Sequence, residues 1–415
     1  MSPKRIVLAT IGSLGDLRPM LALALELKQR GHQVTVASTA YYREKVLGLG
    51  LDFCALRPDW DPTDQELIAQ CADLKSGPEV LFRRLILPHL RATYDDLAAA
   101  AAGADLIIAG ELVYAAPLVA EKLALRWVSV ILSPTSFFSA HDPSLLVNIP
   151  NVYRLRRTGW MVNRAILEFG KLVSWHWWKP VRQLRRELGL RVQCDPLFKD
   201  KFSPELVLAL FSRSLAQAQP DWPKQTLQPG FVYFDRGESE DYRELEEFLV
   251  AGDAPIVFTQ GSTAVHNPGN FYETSVAAAR ELGRRVVLLG AKQKELVGRA
   301  EVLTLPYAPY SRIFPHAAVI VHQGGSGTTG QALRSGRPQL VVPYGWDQPD
   351  NGARLERLGV GLCLARSAYY VESAMAALCR LLTEHTFAVR ATEVAMKVGS
   401  EETLVRACDA VEVIV

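Results

Sequence analysis

The sequence is poor in the features that announce metal, disulfide or membrane proteins. Its six cysteines (Cys54, Cys71, Cys194, Cys363, Cys379 and Cys408) are scattered and contain no CxxC pair. That spacing argues against a zinc site and a disulfide framework, and predicts buried small hydrophobes in a reducing compartment. Charge of one sign is also lacking: 46 basic residues against 44 acidic ones leave a net charge of +2. No global field is available to attract nucleic acid, and no nucleic-acid partner is expected. No charge-free apolar run reaches about 18 residues, so no membrane span is expected. The opening "MSPKRIVLAT" enters a strand-like run at once, with no signal-peptide apolar region ahead of it. The cytoplasm is the expected location.

What is present is a long, globular composition. A chain of 415 residues exceeds one ordinary core, so two domains are expected. Residues 4–12, "KRIVLATIG", form a short β-branched apolar run, as in a buried parallel strand. "SLGDLRP" reads as a loop, "MLALALELKQRG" as a helix ending at Gly31, and "HQVTVAST" as the next strand. Further strands are expected at 105–109 and 127–131, around a helix at 115–125. This is an α/β series on a parallel sheet. Residues 139–221 differ. They hold Trp160, Trp175, Trp177 and Trp178 with Arg154, Arg156, Arg157, Arg182, Arg185 and Arg186. Helices and loops are expected there, packed on the sheet with arginine-rich outer faces. The sharper alternative is a greasy pocket with a membrane-facing rim. "LQPGFVYFDRGESEDY" (227–242) marks the boundary to a second α/β series, which closes in a helical end, "EETLVRACDAVEVIV".

The second series contains "VHQGGSGTTGQALRSGRPQLVVPYGWDQPDN". Gly324, Gly325 and Gly327 lack a Cβ, so backbone N–H groups can approach an anion closely. Ser326, Thr328 and Thr329 add hydroxyl donors, and the helix that follows points its positive end at the turn. His322, at the strand's end, can donate to a phosphate oxygen, although a lone histidine there is also an ordinary core residue. A P-loop would need a lysine that is missing. Gly325, Gly327 and Gly330 meet the GxGxxG spacing, but no acidic residue ends the next strand. Instead come Asp347 and Gln348, a carboxylate and an amide suited to sugar hydroxyls. The stretch is shaped for a diphosphate beside a polyol.

These residues carry a resemblance. The run from "TLPYAPYSRIFPHAAVIVHQGG" to "GWDQPDNGARLERLGVG" resembles the donor motif of inverting nucleotide-sugar glycosyltransferases of the GT-B kind, including sterol, antibiotic and plant enzymes. "IGSLGDLRPMLALALELKQRGHQV" resembles their N-terminal acceptor loop. "FTQGST", "SAHDP", "PDWP" and "RLERLGVG" resemble most strongly the rhamnolipid rhamnosyltransferase group. The resemblance implies an α/β GT-B fold with two facing Rossmann-like domains, parallel sheets and an interdomain cleft. Residues 1–230 would bind acceptor and 236–399 donor, with 400–415 packing back on the first domain. It implies transfer of glucose or rhamnose from a UDP- or dTDP-sugar to a hydroxyl of a hydrophobic small molecule or lipid. The nucleotide-sugar is a co-substrate; no metal or other cofactor is implied. A peripheral contact at the inner membrane face is a further expectation.

Carried over position by position, His322 binds the diphosphate and Gly325, Ser326, Gly327 and Thr328 cradle it. Asp347 and Gln348 meet the sugar. Gly261, Ser262 and Thr263 give a further phosphate-side contact, and Gly15 lies toward the donor. Tyr307 and Ala308 stand where related enzymes meet the base, often with tryptophan. Plant enzymes place a glutamate for the ribose eight residues after the histidine; Gly330 stands there, beside Gln331. Leu14, His141 and Trp346 fall on the acceptor side.

Inversion requires the acceptor hydroxyl to lose a proton as it attacks, and a carboxylate within about 3 Å serves as base. Asp16, just after the first strand, matches the family's base position. Its ordinary role would be the N-cap of the following helix. Glu111 and Asp142 are weaker candidates as base or orienting partner. "DWD" (59–61) fits a metal-binding DxD only formally and reads as a solvated loop; turn amides and a helix N-terminus can replace the metal. An NAD-type oxidoreductase, a nucleotide-sugar epimerase and a non-catalytic nucleotide-sugar-binding partner are the competing readings.

Overall fold

The computed structural model describes residues 2–73, 76–145, 159–235, 242–291 and 301–415. The chain divides into two compact units. The first comprises Met1–Arg213, Gln217–Phe234 and Glu402–Val415; the second comprises Ser214–Ala216 and Asp235–Glu401.

The first unit carries β1 (Arg5–Ala9), β2 (Gln33–Ser38), β3 (Asp52–Ala55), β4 (Leu106–Gly110), β5 (Arg126–Ile131), β6 (Leu206–Ala209) and β7 (Thr226–Leu227). They form one sheet in the order β3-β2-β1-β4-β5-β6-β7, with every pair parallel. Its central strands are buried on both faces, which explains their continuous apolar runs. β6 lies inside the stretch expected to hold only helices and loops. "LVLA" is too short for periodicity to separate strand from helix, and its pairing with β5 decides the matter.

Helix α1 (Leu14–Gln29) follows β1, and α2 (Ala116–Leu123) lies between β4 and β5. Helices α3 (Trp160–Ser174) and α4 (Lys179–Glu187) come from the tryptophan- and arginine-rich stretch. α4 packs as expected, burying Val181 and Leu184 in the core beside α2. α3 does not: of its residues only Asn163 is buried. Arg154, Arg156 and Arg157 lie outside the described residues.

The second unit holds β8 (Ile256–Thr259), β9 (Val286–Leu289), β10 (Val302–Leu305), β11 (Val319–His322), β12 (Gln339–Val341) and β13 (Gly361–Cys363). Their order is β10-β9-β8-β11-β12-β13, again all parallel. Helices α5 (Phe271–Glu281), α6 (Ser326–Ser335), α7 (Gln348–Leu358), α8 (Val371–Thr383) and α9 (His385–Gly399) belong to this unit.

The last helix, α10 (Thr403–Ile414), returns to the first unit. It buries Ala407, Cys408 and Val411 in the core that holds Leu17, Met20, Leu23, Ala24 and Leu27 of α1. Arg30, just past α1, ties it with ion pairs to Asp409 (2.6 Å) and Glu412 (2.8 Å). Of the cysteines, Cys71, Cys194 and Cys408 are buried, Cys54 and Cys363 are half-buried, and Cys379 is exposed; all are free thiols. No helix among the described residues is long and apolar enough to cross a membrane.

Candidate functional site

In an open parallel sheet, ligands gather at the carboxyl ends of the strands where the strand order reverses. In the second unit that point falls between β8 and β11. Three turns leave adjacent strand ends there: 260–264 after β8, 323–326 after β11 and 343–347 after β12.

The middle turn is pinned by its neighbours. Gly324 adopts φ +88°, and a Cβ there would crowd Val341 at 2.7 Å, so glycine is required. Its N–H donates to His322 Nδ1 (3.0 Å), and its carbonyl accepts from Asn351 Nδ2 (2.9 Å). Gly325 then caps α6, whose first turn is Ser326, Gly327 and Thr328. A Cβ on Gly327 would meet nothing within 4 Å, so the amide end of α6 is open on that side. The first N–H groups of such a helix lack intrahelical acceptors and suit an anion.

His322 departs from its expected role. It is fully buried, and both ring nitrogens are engaged. Since Nδ1 accepts from Gly324, the proton sits on Nε2 and is donated to Gln339 Oε1 at 3.1 Å. Burial lowers its pKa to about 4, against the smaller opposing pull of the Gln339 hydrogen bond. The ring is a neutral core group that shapes the turn through Gly324 and has no N–H to spare for a phosphate.

Asp347 stands at the start of α7 with Oδ2 accepting from Ser326 Oγ (2.7 Å) and Asn351 Nδ2 (2.8 Å). The carboxylate is thus fastened to the first residue of α6. Gln348 is buried, and its Oε1 accepts from the backbone N–H groups of Tyr344 (2.7 Å) and Gly345 (3.2 Å). That carbonyl end braces the loop instead of reaching outward. Trp346, half-buried, holds a left-handed backbone (φ +54°), an uncommon conformation for a bulky side chain. Tyr307 is half-buried, whereas Ala308 is fully buried and packs in the core with Ile313 and Phe314. Gly261 takes φ +63°; the side chains of Ser262 and Thr263 lie outside the described residues. Gly330 is buried in α6, and Gln331 donates to Asp235 (2.9 Å).

Sequence reasoning missed several groups in this site. Gln323 is buried with its amide packed against Gly261, where a Cβ would overlap it, and Nε2 lies 3.5 Å from Thr328 Oγ1. It joins the turn after β8 to the turn after β11. Asn351, one helical turn after Asp347, was legible only as an i,i+4 polar pair. Gln260 hydrogen-bonds Tyr344, whose ring carries the Arg366 guanidinium at 4.0 Å. Asp350 and Arg354 form a buried ion pair of 2.7 Å on the inner side of α7.

In the first unit the order reverses between β1 and β4. α1 begins earlier than the sequence indicates, at Leu14, and Asp16 is its third residue instead of its N-cap. Ser13 is the N-cap, and the two side chains make a reciprocal capping box. Ser13 Oγ accepts from Gly15 N–H (3.1 Å), while Asp16 Oδ2 accepts from Ser13 N–H (2.7 Å) and Ser13 Oγ–H (3.0 Å). Gly12 (φ +140°) lies so close that a Cβ would overlap the Asp16 carboxylate. Leu14 is half-buried against the α1 core.

Glu111, just past β4, is paired with Lys201 at 3.7 Å. Lys201 is buried over the rings of Phe138 (4.9 Å) and Phe202 (5.3 Å), and burial lowers its pKa. His141 is exposed and stacks on Trp160, with centroids 5.6 Å apart. The N–H groups of His141 and Asp142 both donate to Ser139 Oγ. In "DWD", Asp59 accepts from Ala40 N–H and Asp61 caps Thr63, so both brace their loop. No metal-ligating cluster is found among the described residues.

Both units resemble known proteins. Residues 6–135 match the glycosyltransferase family 28 N-terminal domain, and residues 275–410 match the erythromycin biosynthesis protein CIII-like C-terminal domain. The O-mycaminosyltylonolide 6-deoxyallosyltransferase of Streptomyces fradiae is 32% identical over 98% of this chain and 97% of its own. A sterol 3-beta-glucosyltransferase of Arabidopsis thaliana is 29% identical over 86% of this chain, which spans 57% of that protein. Among solved structures, the kitacinnamycin glycotransferase superposes with a TM-score of 0.74 over 100% of this chain and 99% of that one, at 22% identity. The spinosyn rhamnosyltransferase complexed with thymidine diphosphate gives 0.69 at 18% identity, over 98% of this chain and 100% of that one. Two parallel-sheet α/β units in this order have the GT-B fold. The chain is a glycosyltransferase and belongs to the antibiotic and sterol glycosyltransferase group built from a family 28 N-terminal domain and an erythromycin CIII-like C-terminal domain.

Proposed function

We propose that the protein transfers a hexose, with inversion and without a metal, from a dTDP- or UDP-sugar to a hydroxyl of a hydrophobic acceptor. The observation that carries this reading is the fastening of Asp347 to Ser326 at the open end of α6. One short network puts a carboxylate, able to accept from sugar hydroxyls, beside N–H groups able to hold a diphosphate.

In the proposed reaction the acceptor oxygen attacks the anomeric carbon as the bond to the diphosphate oxygen breaks. The hydroxyl proton passes to Asp16. The leaving diphosphate keeps the electron pair, and its charge is met by the amides of Gly325 to Thr328. His322 contributes by holding Gly324 in place. Asp16 is suited to the base role because its carboxylate is already oriented by Ser13, so little reorganisation precedes proton transfer. Glu111 is committed to Lys201 and serves as a supporting charge.

A 6-deoxyhexose carried on dTDP is the favoured donor. Support comes from the deoxyallosyl-transferring relative, the thymidine diphosphate complex of a structural neighbour, and the likeness to the rhamnolipid group. UDP-glucose is the second reading, favoured by the sterol glucosyltransferase relative. A macrolide-like or hydroxyacyl lipid acceptor suits the first, a sterol the second.

The test is mass spectrometry of products from dTDP- and UDP-sugars against macrolide, lipid and sterol acceptors. Asp16→Asn should keep nucleotide binding by calorimetry and lose about 10²–10⁴ of transfer. Full turnover by Asp16→Asn would remove the base assignment; no binding of either nucleoside diphosphate would remove the donor site.

A further inference from the structure

Helix α3 turns its apolar side away from the protein. Its inward side is Asn163, whose amide donates to the Ala140 carbonyl (2.9 Å), with half-buried Ile166, Leu167 and Gly170. At 100° per residue, Met161, Ala165, Phe169 and Leu172 share a face turned from that side, with Val173 at its edge beside Ile166. Met161 is 70% exposed, Phe169 66% and Leu172 73%. Soluble surfaces scatter such residues singly; a continuous stripe marks a contact. The stripe is the convex side of one helix, about 22 Å long, and lacks the concavity a small-molecule pocket needs.

The charges beside the stripe select among occupants. Trp160–Glu187 carries six basic and two acidic side chains, of which Arg185 is buried and paired with Glu121, although the whole chain has a net charge of only +2. Arg164 and Lys171 flank the stripe and share Glu168. Lys179 and Arg186 are exposed on α4, the next helix. Exposed tryptophans mark both ends of α3: Trp160, stacked on His141, and Trp175, covered by the Arg182 guanidinium at 4.1 Å. An apolar stripe with amphipathic tryptophans at its ends and excess positive charge beside it matches a helix lying in an anionic lipid interface.

We propose that α3 is a membrane-surface helix that rests on anionic lipid, with Phe169 and Leu172 inserted among the acyl chains and Lys179 and Arg186 over the headgroups. This goes beyond sugar transfer and does not depend on which donor or acceptor is used.

The full chain should sediment with phosphatidylcholine vesicles containing phosphatidylglycerol, and release at high salt. Its tryptophan emission should shift to the blue on binding. Phe169→Glu/Leu172→Glu places both changes on exposed positions and should weaken partitioning by about tenfold or more. Lys179→Glu/Arg186→Glu should lose the preference for anionic over neutral vesicles. Both variants should keep the parent's far-UV circular dichroism and its cooperative unfolding transitions, which shows that the first unit still folds. The proposal is overturned if the parent ignores anionic vesicles, or if Phe169→Glu/Leu172→Glu binds them equally well. It is also overturned if sedimentation velocity shows a lipid-free dimer that this double variant dissolves, since the stripe would then be covered by a second copy.

Discussion

His322 offers the sharpest discrimination between a phosphate ligand and a residue that shapes the turn. The structure makes it neutral, buried and doubly hydrogen-bonded, with a pKa near 4. Replacing it with alanine removes the acceptor for Gly324 N–H and the donor for Gln339 Oε1. Two lost hydrogen bonds, with two groups left unpaired, should cost about 3 kcal/mol of stability. Nucleotide affinity should fall in parallel, because Gly324 sets the turn. The pH dependence separates the readings further. A folded pKa below the unfolded value means that the unfolded chain takes the proton first. Stability is therefore present above about pH 6.5 and is lost as pH falls toward 4, by about 3 kcal/mol in all. His322→Ala should be less stable near neutrality and should lack that contribution to the acid dependence. The assay pairs equilibrium unfolding with calorimetric titration of dTDP and UDP between about pH 5 and 8. The ratio of parent to variant affinity should stay constant across the range, which cancels titration of the ligand's own phosphate. A ratio that grows as pH falls through 6.5 would mean an imidazolium on the phosphate, and the core assignment of His322 would be wrong.

Two further outcomes follow from the geometry. Gly12→Ala places a methyl group on the Asp16 carboxylate in a left-handed backbone; it should lower stability by about 1–3 kcal/mol and reduce transfer, while nucleotide titration stays unchanged. Weaker nucleotide binding in Gly12→Ala would tie that turn to the donor. Arg354→Leu removes the guanidinium paired with the buried Asp350 carboxylate and should destabilise the second unit by about 3–5 kcal/mol in denaturant unfolding. Arg354→Met/Asp350→Leu should recover most of that loss; failure to recover would mean that the pair specifies the α7 packing and not only its own charge balance.

The strands are legible where a short β-branched run sits between turn residues, as in β1, β4 and β11. Their central positions in parallel sheets bury both faces and force that composition. β6 is hidden because four apolar residues carry no period. The beginning of α1 is hidden because "SLGDLRP" contains glycine and proline. Ser13 and Asp16 nonetheless close a capping box, and Pro19 is tolerated inside α1 without donating to the Gly15 carbonyl. The sequence predicts that α3 packs like α4, since both are amphipathic; amphipathicity fixes which residues share a face and says nothing of which face turns inward.

The sequence alone determined the chemistry of the turn: glycines where the backbone must bend, hydroxyls behind them, a carboxylate and an amide one loop later. The family likeness rests on those local spacings. Only the tertiary structure decided which of those atoms are already in use. His322 is occupied because Gln339, on the neighbouring strand, meets its second nitrogen. The carbonyl end of Gln348 is occupied by the loop it braces, and Asp347 Oδ2 is held by Ser326 and Asn351. A side chain's type sets what it can bond; the partners that fill that capacity come from other strands and turns, and a linear pattern does not contain them.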